Sequence, residues 1–290
     1  MSLQECLQKL ASKQDCRLHY VLTAINIANN AGNIIKDCYH QVKTVSTKDC
    51  ATDLVTDTDK LVEKLIFSSL KTEFPSHKFI GEESVSNGES SELSLEPTWI
   101  VDPIDGTTNF VHRNPYVAVS IGLVINKKSE VGVVYAPILN DLYVAVKNEG
   151  AYLNGQRLKI VNPPSSLSNS LIAFEWGADR DSDVLALKSR NLLDIMQKHQ
   201  VRGMRSTGSA ALNMCMVACS SLDLYFEWGP HCWDMAASNL MVEEAGGFNT
   251  TTLGCDFDLM GRTIISAACK NIIEEIVPTL TQIPTRRDDE

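Results

Sequence analysis

The stretch "WIVDPIDGTTNF", Trp99 to Phe110, drives an apolar strand into two aspartates, Asp102 and Asp105, and then turns sharply. Pro103 fixes φ and ends the ladder's demand for an N–H donor, so the turn is stiff. Two carboxylates on a stiff turn repel each other unless they are protonated or bridged. A hard divalent cation with oxygen ligands resolves this, and the Ile104 carbonyl can add a neutral ligand. Gly106 lets the chain pass close by, and Thr107 and Thr108 open a short helix whose free N–H groups suit a phosphate. An Asp-Gly pair alone is ordinarily a turn former. The whole run, set between a strand and a loop, points instead to an ion site.

Around this stretch lies an ordinary globular chain of 290 residues, 44% hydrophobic and 21% charged, long enough to bury a substantial core. Its formal charge of −10 argues against a nucleic-acid surface, and an anionic ligand would need a bound cation as mediator. No apolar run is long enough for a membrane span, and the first twenty residues lack the apolar centre of a signal peptide. Nine cysteines without a CxxC pair read as free thiols of a cytoplasmic protein rather than a disulfide framework or zinc site. The sequon at Asn249 then carries no glycan.

Helical spacing predicts helices over residues 17–42 and 59–74, the second with Asp57 and Thr58 as candidate caps and Pro75 as its stop. "HKFIGEES" predicts a short strand ending in Glu82 and Glu83, and "VSNGESSELSLEP" an exposed loop. From residue 115 to 158 an antiparallel meander is expected, with Asn154-Gly155 as a hairpin turn. Strands and helices then alternate to the C-terminus, with "DMAASNLMVEEAGG" as one helix, which argues for layered α/β architecture. The tail 284–290 reads as flexible or weakly docked.

Six acids stand at element edges, where such folds place ligands: Asp59, Glu82, Glu83, Asp102, Asp105 and Asp234. Several have ordinary alternatives. Asp234 suits a helix N-cap, Asp59 a first-turn acid, and Glu83 a solvated loop. Gly208-Ser209 precedes another helix, an anion-friendly start. His112 and His231 read as structural. No Ser/His/Asp order, Walker loop or GxGxxG fingerprint is present. The residues by themselves indicate metal-dependent chemistry on a phosphate-like anion.

"DLVTDTD" (53–59), "GEES" (81–84), "WIVDPIDGTTNFVH" (99–112) and "WDMAASNLMVEEAGG" (233–247) stand in the order and spacing of the inositol monophosphatase family, which the chain resembles from about residue 17 onward. "GSAALN" and "YFEWG" strengthen the likeness. The resemblance implies one phosphatase domain over 1–290, with residues 1–16 as an extension, folded as a five-layer αβαβα sandwich and assembled as a homodimer. It implies a magnesium-dependent, lithium-sensitive enzyme that hydrolyses inositol monophosphates to myo-inositol and phosphate, with two to three Mg2+ per subunit.

Carried over by position, Glu82, Asp102 and the Ile104 carbonyl would hold one ion, and Asp102, Asp105 and Asp234 a second. A weaker third would sit near Glu82. Thr107, backed by Asp59, would orient and deprotonate the attacking water, with Glu82 and Asp102 completing the catalytic group and Lys48 near the loop. Asp105, Gly106, Thr107, Thr108, Gly208, Ser209, Ala210, Glu227 and Asp234 would meet the substrate. Asp57, Pro230 and Ser209 depart from the family pattern without touching a metal ligand. A related phosphatase acting on a sugar phosphate, nucleotide 3′-phosphate or inositol polyphosphate is the alternative, decided by Glu227 and the 208–210 turn. A catalytically silent relative would have lost one of the metal ligands, and none is lost.

Overall fold

A computed structural model describes residues 1–48 and 52–290, so Cys50 lies outside the described residues. Two helices begin the chain, α1 (Leu3–Ser12) and α2 (Arg17–Tyr39), followed by a small antiparallel ribbon of β1 (Val45–Thr47) and β2 (Leu54–Thr56). Helix α3 (Asp57–Glu73) and strand β3 (Lys78–Gly81) lead to helix α4 (Glu82–Ser86), strand β4 (Thr98–Asp105) and helix α5 (Thr107–His112). The meander follows as β5 (Ala118–Ile125), β6 (Lys128–Ala136), β7 (Asp141–Val146), β8 (Gly150–Leu153) and β9 (Gln156–Arg157). These seven strands form one sheet in the order β3-β4-β5-β6-β7-β8-β9, antiparallel except for β3 on β4. Asn154 and Gly155, both at positive φ, turn β8 into β9 as their sequence predicts.

The rest of the chain contains β10 (Leu171–Phe174), α6 (Ser182–His199), β11 (Gly203–Arg205), α7 (Ala210–Ala218), β12 (Leu224–Trp228), α8 (Cys232–Met235), α9 (Ser238–Glu244), β13 (Phe248–Thr250), β14 (Thr263–Ala267) and α10 (Lys270–Ile276). Its five strands order as β11-β10-β12-β14-β13, with parallel pairs around β10 and antiparallel pairs on β14.

Strand alternation builds the layers. Trp99, Val101, Val119, Ile121, Val131 and Val133 face the helices α1, α2 and α3, while Ile100, Val134 and Ala145 face α7 and α9. Tyr225 of β12 faces that same central layer, and its neighbours Leu224, Phe226 and Trp228 pack outward with Ile195 of α6 and Ile272 and Ile276 of α10. The order is therefore helices, sheet, helices, sheet, helices. The five-layer sandwich is present.

Three local expectations change. Glu82 and Glu83 begin a helix instead of ending a strand, because buried Glu63 accepts from the Glu83 and Ser84 amides at 2.8 and 2.9 Å and so caps α4 from outside it. Leu93, in the segment read as an exposed loop, is buried in the central core. The helix expected over 234–247 breaks at Ala236–Ala237. Gly122 and Gly132 permit that break: a Cβ on Gly132 would lie 2.4 Å from the Ala237 carbonyl oxygen, and one on Gly122 2.8 Å from the Ala236 carbonyl carbon. The Ala236 carbonyl instead accepts from Ser129 Oγ at 2.9 Å.

Both termini are docked. Cys6 and Leu10 of α1 are buried in the outer core, and Lys9 pairs with Glu149. The tail read as flexible is pinned by Asp288, whose amide donates to the Met260 carbonyl at 3.0 Å, and Arg287 pairs with Asp258.

Candidate active site

Strand β4 carries the first two acids, and its register decides where they point. Asp102 and Asp105 differ by an odd number, so a regular strand would send them to opposite faces. The pairing with β5 shifts between them, Asp102 opposing Ser120 and Asp105 opposing Ala118. Ile104 goes into the outer core and both aspartates turn to the central layer. Pro103 is tolerated because β3 pairs with β4 no further than Val101. Gly106 follows at φ +89, where a Cβ would lie 2.8 Å from the Tyr116 carbonyl and 3.0 Å from that of Gly208. No other residue fits there without displacing backbone.

Folding brings Asp234 to the same place. One carboxylate oxygen from each of Asp102, Asp105 and Asp234 lies within 4.8 Å of the others. The remaining capacity orients them: Asp102 Oδ1 accepts from the Ile104 amide at 2.9 Å, and Asp234 Oδ2 from the His231 amide at 2.7 Å. Asp105 Oδ2 accepts from the Ala211 amide at 2.8 Å and from Ser209 Oγ. Asp102 and Asp105 are buried, and the ion pairs among described residues include none to this trio. Burial, reinforced by the neighbouring acids, pushes Asp102 and Asp234 well above the usual carboxylate range; burial raises Asp105 to about 7 against its hydrogen bonds from Ser209 and Ala211. An all-oxygen set of three close carboxylates with no ion-paired cation among the described residues fits a hard divalent ion.

Glu82 lines the same cleft as Asp105 and Asp234, and its charge bears on Asp102. It is also engaged by Lys48, whose Nζ lies 2.6 Å from Glu82 Oε1 and 2.7 Å from Glu83 Oε1. Glu83 is thus buried and ion-paired instead of solvated. Burial alone would lower the Lys48 ammonium, but the two glutamates overcome it and hold the group above its ordinary value.

Asp59 is fully buried. Its Oδ2 accepts from the Thr56 amide at 2.9 Å and from the Thr56 hydroxyl, forming a capping box that starts α3. The cap is therefore Thr56, not Asp57 or Thr58. Asp59 Oδ1 lies 3.1 Å from Thr107 Oγ1, which is also 3.2 Å from the Ile104 carbonyl. Burial raises Asp59 to about 6.

Gly106, Thr107, Thr108, Gly208, Ala210 and Glu227 line this cleft of about 340 Å³. Ser209 sits beneath it, capping α7 through the Leu212 amide while holding Asp105. Glu227, at the end of β12, is pushed up to about 8 by burial and by Glu175, and accepts from the Tyr225 hydroxyl.

Sequence reasoning missed the struts. Glu175 Oε1 accepts from the amides of Thr207 and Gly208 and from Asn213 Nδ2, while Asn109 Nδ2 reaches the carbonyls of Tyr116 and Thr207 at 2.8 and 2.7 Å. Together they tie α5 to the 207–210 turn. Glu175 also stands at a strand end, the signal that selected the other acids. Lys188, buried and donating to the Trp176 carbonyl at 2.6 Å, had no signal, since nothing in an amphipathic helix pattern marks an inward lysine.

Residues 17–285 match the inositol monophosphatase family. The chain belongs to that family. It is 46% identical over 270 residues to human inositol monophosphatase 1, spanning 92% of this chain and 96% of the relative. Among solved structures it is similar to the extragenic suppressor protein suhB of Bartonella henselae (TM-score 0.81, 32% identity, 91% of this chain and 99% of that one). It is also similar to the inositol monophosphatase of Anabaena (TM-score 0.77, 30% identity, 92% and 96%). As a member of the inositol monophosphatase family, the protein is a phosphatase.

Proposed function

We propose that the protein hydrolyses inositol monophosphates to myo-inositol and phosphate in a magnesium-dependent, lithium-sensitive reaction, as a cytoplasmic homodimer. The observation that carries the metal dependence is the convergence of Asp102, Asp105 and Asp234 with no ion-paired cation among the described residues. These three, with Glu82 and the Ile104 carbonyl, would hold two to three Mg2+. When bound, magnesium neutralises phosphate charge and lowers the proton affinity of water.

The chain's own residues divide the remaining work. Thr107 Oγ1, donating to Asp59 Oδ1, can accept a hydrogen bond from a water on its open side and so aim it. Asp59, held near 6, can take the proton relayed through that hydroxyl. Free N–H groups at the start of α5 suit the ester's phosphate, and Glu227 with the 208–210 turn suits ring hydroxyls, since a carboxyl group can bond two neighbouring hydroxyls. Positioning and charge stabilisation suffice for phosphoryl transfer without a covalent nucleophile.

A panel of phosphate esters tests this. Inositol 1-phosphate should release phosphate with magnesium and stop with lithium. No turnover on any inositol monophosphate at saturating magnesium refutes the reading. Faster turnover of a sugar phosphate, a nucleotide 3′-phosphate or an inositol polyphosphate moves the substrate and keeps the chemistry.

A further inference from the structure

The C-terminal tail reaches back to the turn that carries Asp234. Asp288, its side chain 4% exposed, places Oδ1 2.7 Å from His231 Nδ1 and accepts at Oδ2 from the Cys232 amide at 2.7 Å. Its own carbonyl accepts from Ser91 Oγ and its amide donates to Met260, so the tail is held on both sides. Arg262 Nη2 reaches the Gly229 carbonyl at 2.7 Å and His231 Nε2 at 3.0 Å. A guanidinium has only donors, so Nε2 accepts and the imidazole proton sits on Nδ1, facing Asp288. The ring is further fixed by stacking on Trp233 at 4.3 Å and 7°.

The consequence lies one residue on. The His231 amide is the donor that orients Asp234 Oδ2. Asp288 holds the His231 ring and the Cys232 amide, a donor at the start of α8 that needs a partner from outside that helix. The family match ends at residue 285, so Asp288 itself lies beyond the matched segment while its partners lie within it.

We propose that Asp288 is a positioning residue of the phosphatase site: from the tail it caps the 231–234 turn and sets the aim of Asp234 into the carboxylate cluster. The proposal rests on reading that cluster as a metal seat. Partners that orient metal ligands are worth about 10–100-fold in metal affinity when removed.

The test is calorimetric titration of metal-free protein with Mn2+, beside amide exchange at Cys232. Asp288→Ala should bind Mn2+ about tenfold or more weakly and exchange the Cys232 amide faster. Asp288→Asn keeps one acceptor oxygen for that amide and should fall between the two. Wild-type Mn2+ affinity in Asp288→Ala, with exchange accelerated, makes the tail a structural clasp and overturns the proposal. If Asp288→Ala does not fold, Asp288→Asn decides: weaker Mn2+ binding than wild type supports the role and equal binding overturns it. A wild type that binds Mn2+ yet hydrolyses no inositol monophosphate refutes the substrate reading alone. One that binds no Mn2+ overturns both.

Discussion

Two neighbouring groups of buried or half-buried acids are treated in opposite ways. Glu63, Glu82 and Glu83 are balanced by the chain itself: Glu63 caps α4, and Lys48 lies against the other two. Asp102, Asp105 and Asp234 receive backbone and hydroxyl donors but no cation among the described residues. Burying a charge without a partner is costly, so the second group is tolerable protonated or occupied by a metal ion. In the first, Lys48 and backbone donors offset part of a burial cost that still raises Glu63, and Glu83 to about 7. The difference separates acids answered by a lysine of the chain from acids whose cluster could hold a metal ion. Glu82 belongs to both, paired with Lys48 while its charge bears on Asp102.

The largest effect that could break this contrast is Asp102→Asn. Turnover should fall about a thousand-fold or more, beyond the 10–100-fold cost of losing a supporting partner, because a ligand to the ions themselves is lost. The metal-free protein should nonetheless melt no lower than wild type, since burial and the neighbouring acids already favour the neutral form of Asp102 and an amide of the same shape replaces it. Phosphate release and calorimetric melting of the same preparation check both halves, and retained activity at saturating magnesium contradicts the role.

Lys48→Met probes the other group. Removing the cation leaves buried Glu83 and half-buried Glu82 unpaired, which should cost about 3–5 kcal/mol in denaturant unfolding. A loss well under 1 kcal/mol would mean that the two groups do not differ as described.

The pH dependence of the metal-free protein sharpens the comparison. Glu227 keeps its proton in the fold up to about pH 8 but ionises near 4.5 when unfolded, and Asp105 keeps its proton up to about 7 against 3.8 when unfolded. Between those limits the unfolded chain binds fewer protons, so stability falls as pH rises from about 4 to about 8, and Asp102 and Asp234, also raised, act in the same direction. Each 1 kcal/mol is worth about 2–4 °C of Tm in a chain of this size. Magnesium should raise Tm more at pH 8 than at pH 5, since it competes with protons for the carboxylates. A Tm that climbs over this range without metal contradicts the burial argument.

Ser209→Ala should have the smallest effect, about 1 kcal/mol for a lost helix cap, together with weaker metal binding because Asp105 loses its hydroxyl donor. Unchanged metal affinity would leave Ser209 a cap and nothing more.

Elements with a strong local pattern were legible in the sequence. The long helix α2, the meander with its Asn154-Gly155 turn, and the alternation after residue 170 follow from periodicity and turn chemistry, which neighbouring residues decide. The acids of the site were legible because each stands at the edge of an element. Glu63, Asn109, Lys188 and Asp288 were not, since their partners lie 20 or more residues away or on another element. The break between α8 and α9 was hidden for the same reason: Gly122 and Gly132 of the sheet decide it, not the helix's own residues.

Sequence alone therefore determined the layered α/β class, the acidic DPIDGTT turn and the family to which it belongs, because local sterics and spacing act over a few residues. Tertiary structure alone decided that a shifted register turns Asp102 and Asp105 the same way, that Asp234 arrives beside them, and that Lys48 serves Glu82 and Glu83 but not the trio. Charge balance in a buried site depends on distances of a few ångströms between residues remote in the chain, and those distances exist only once it has folded.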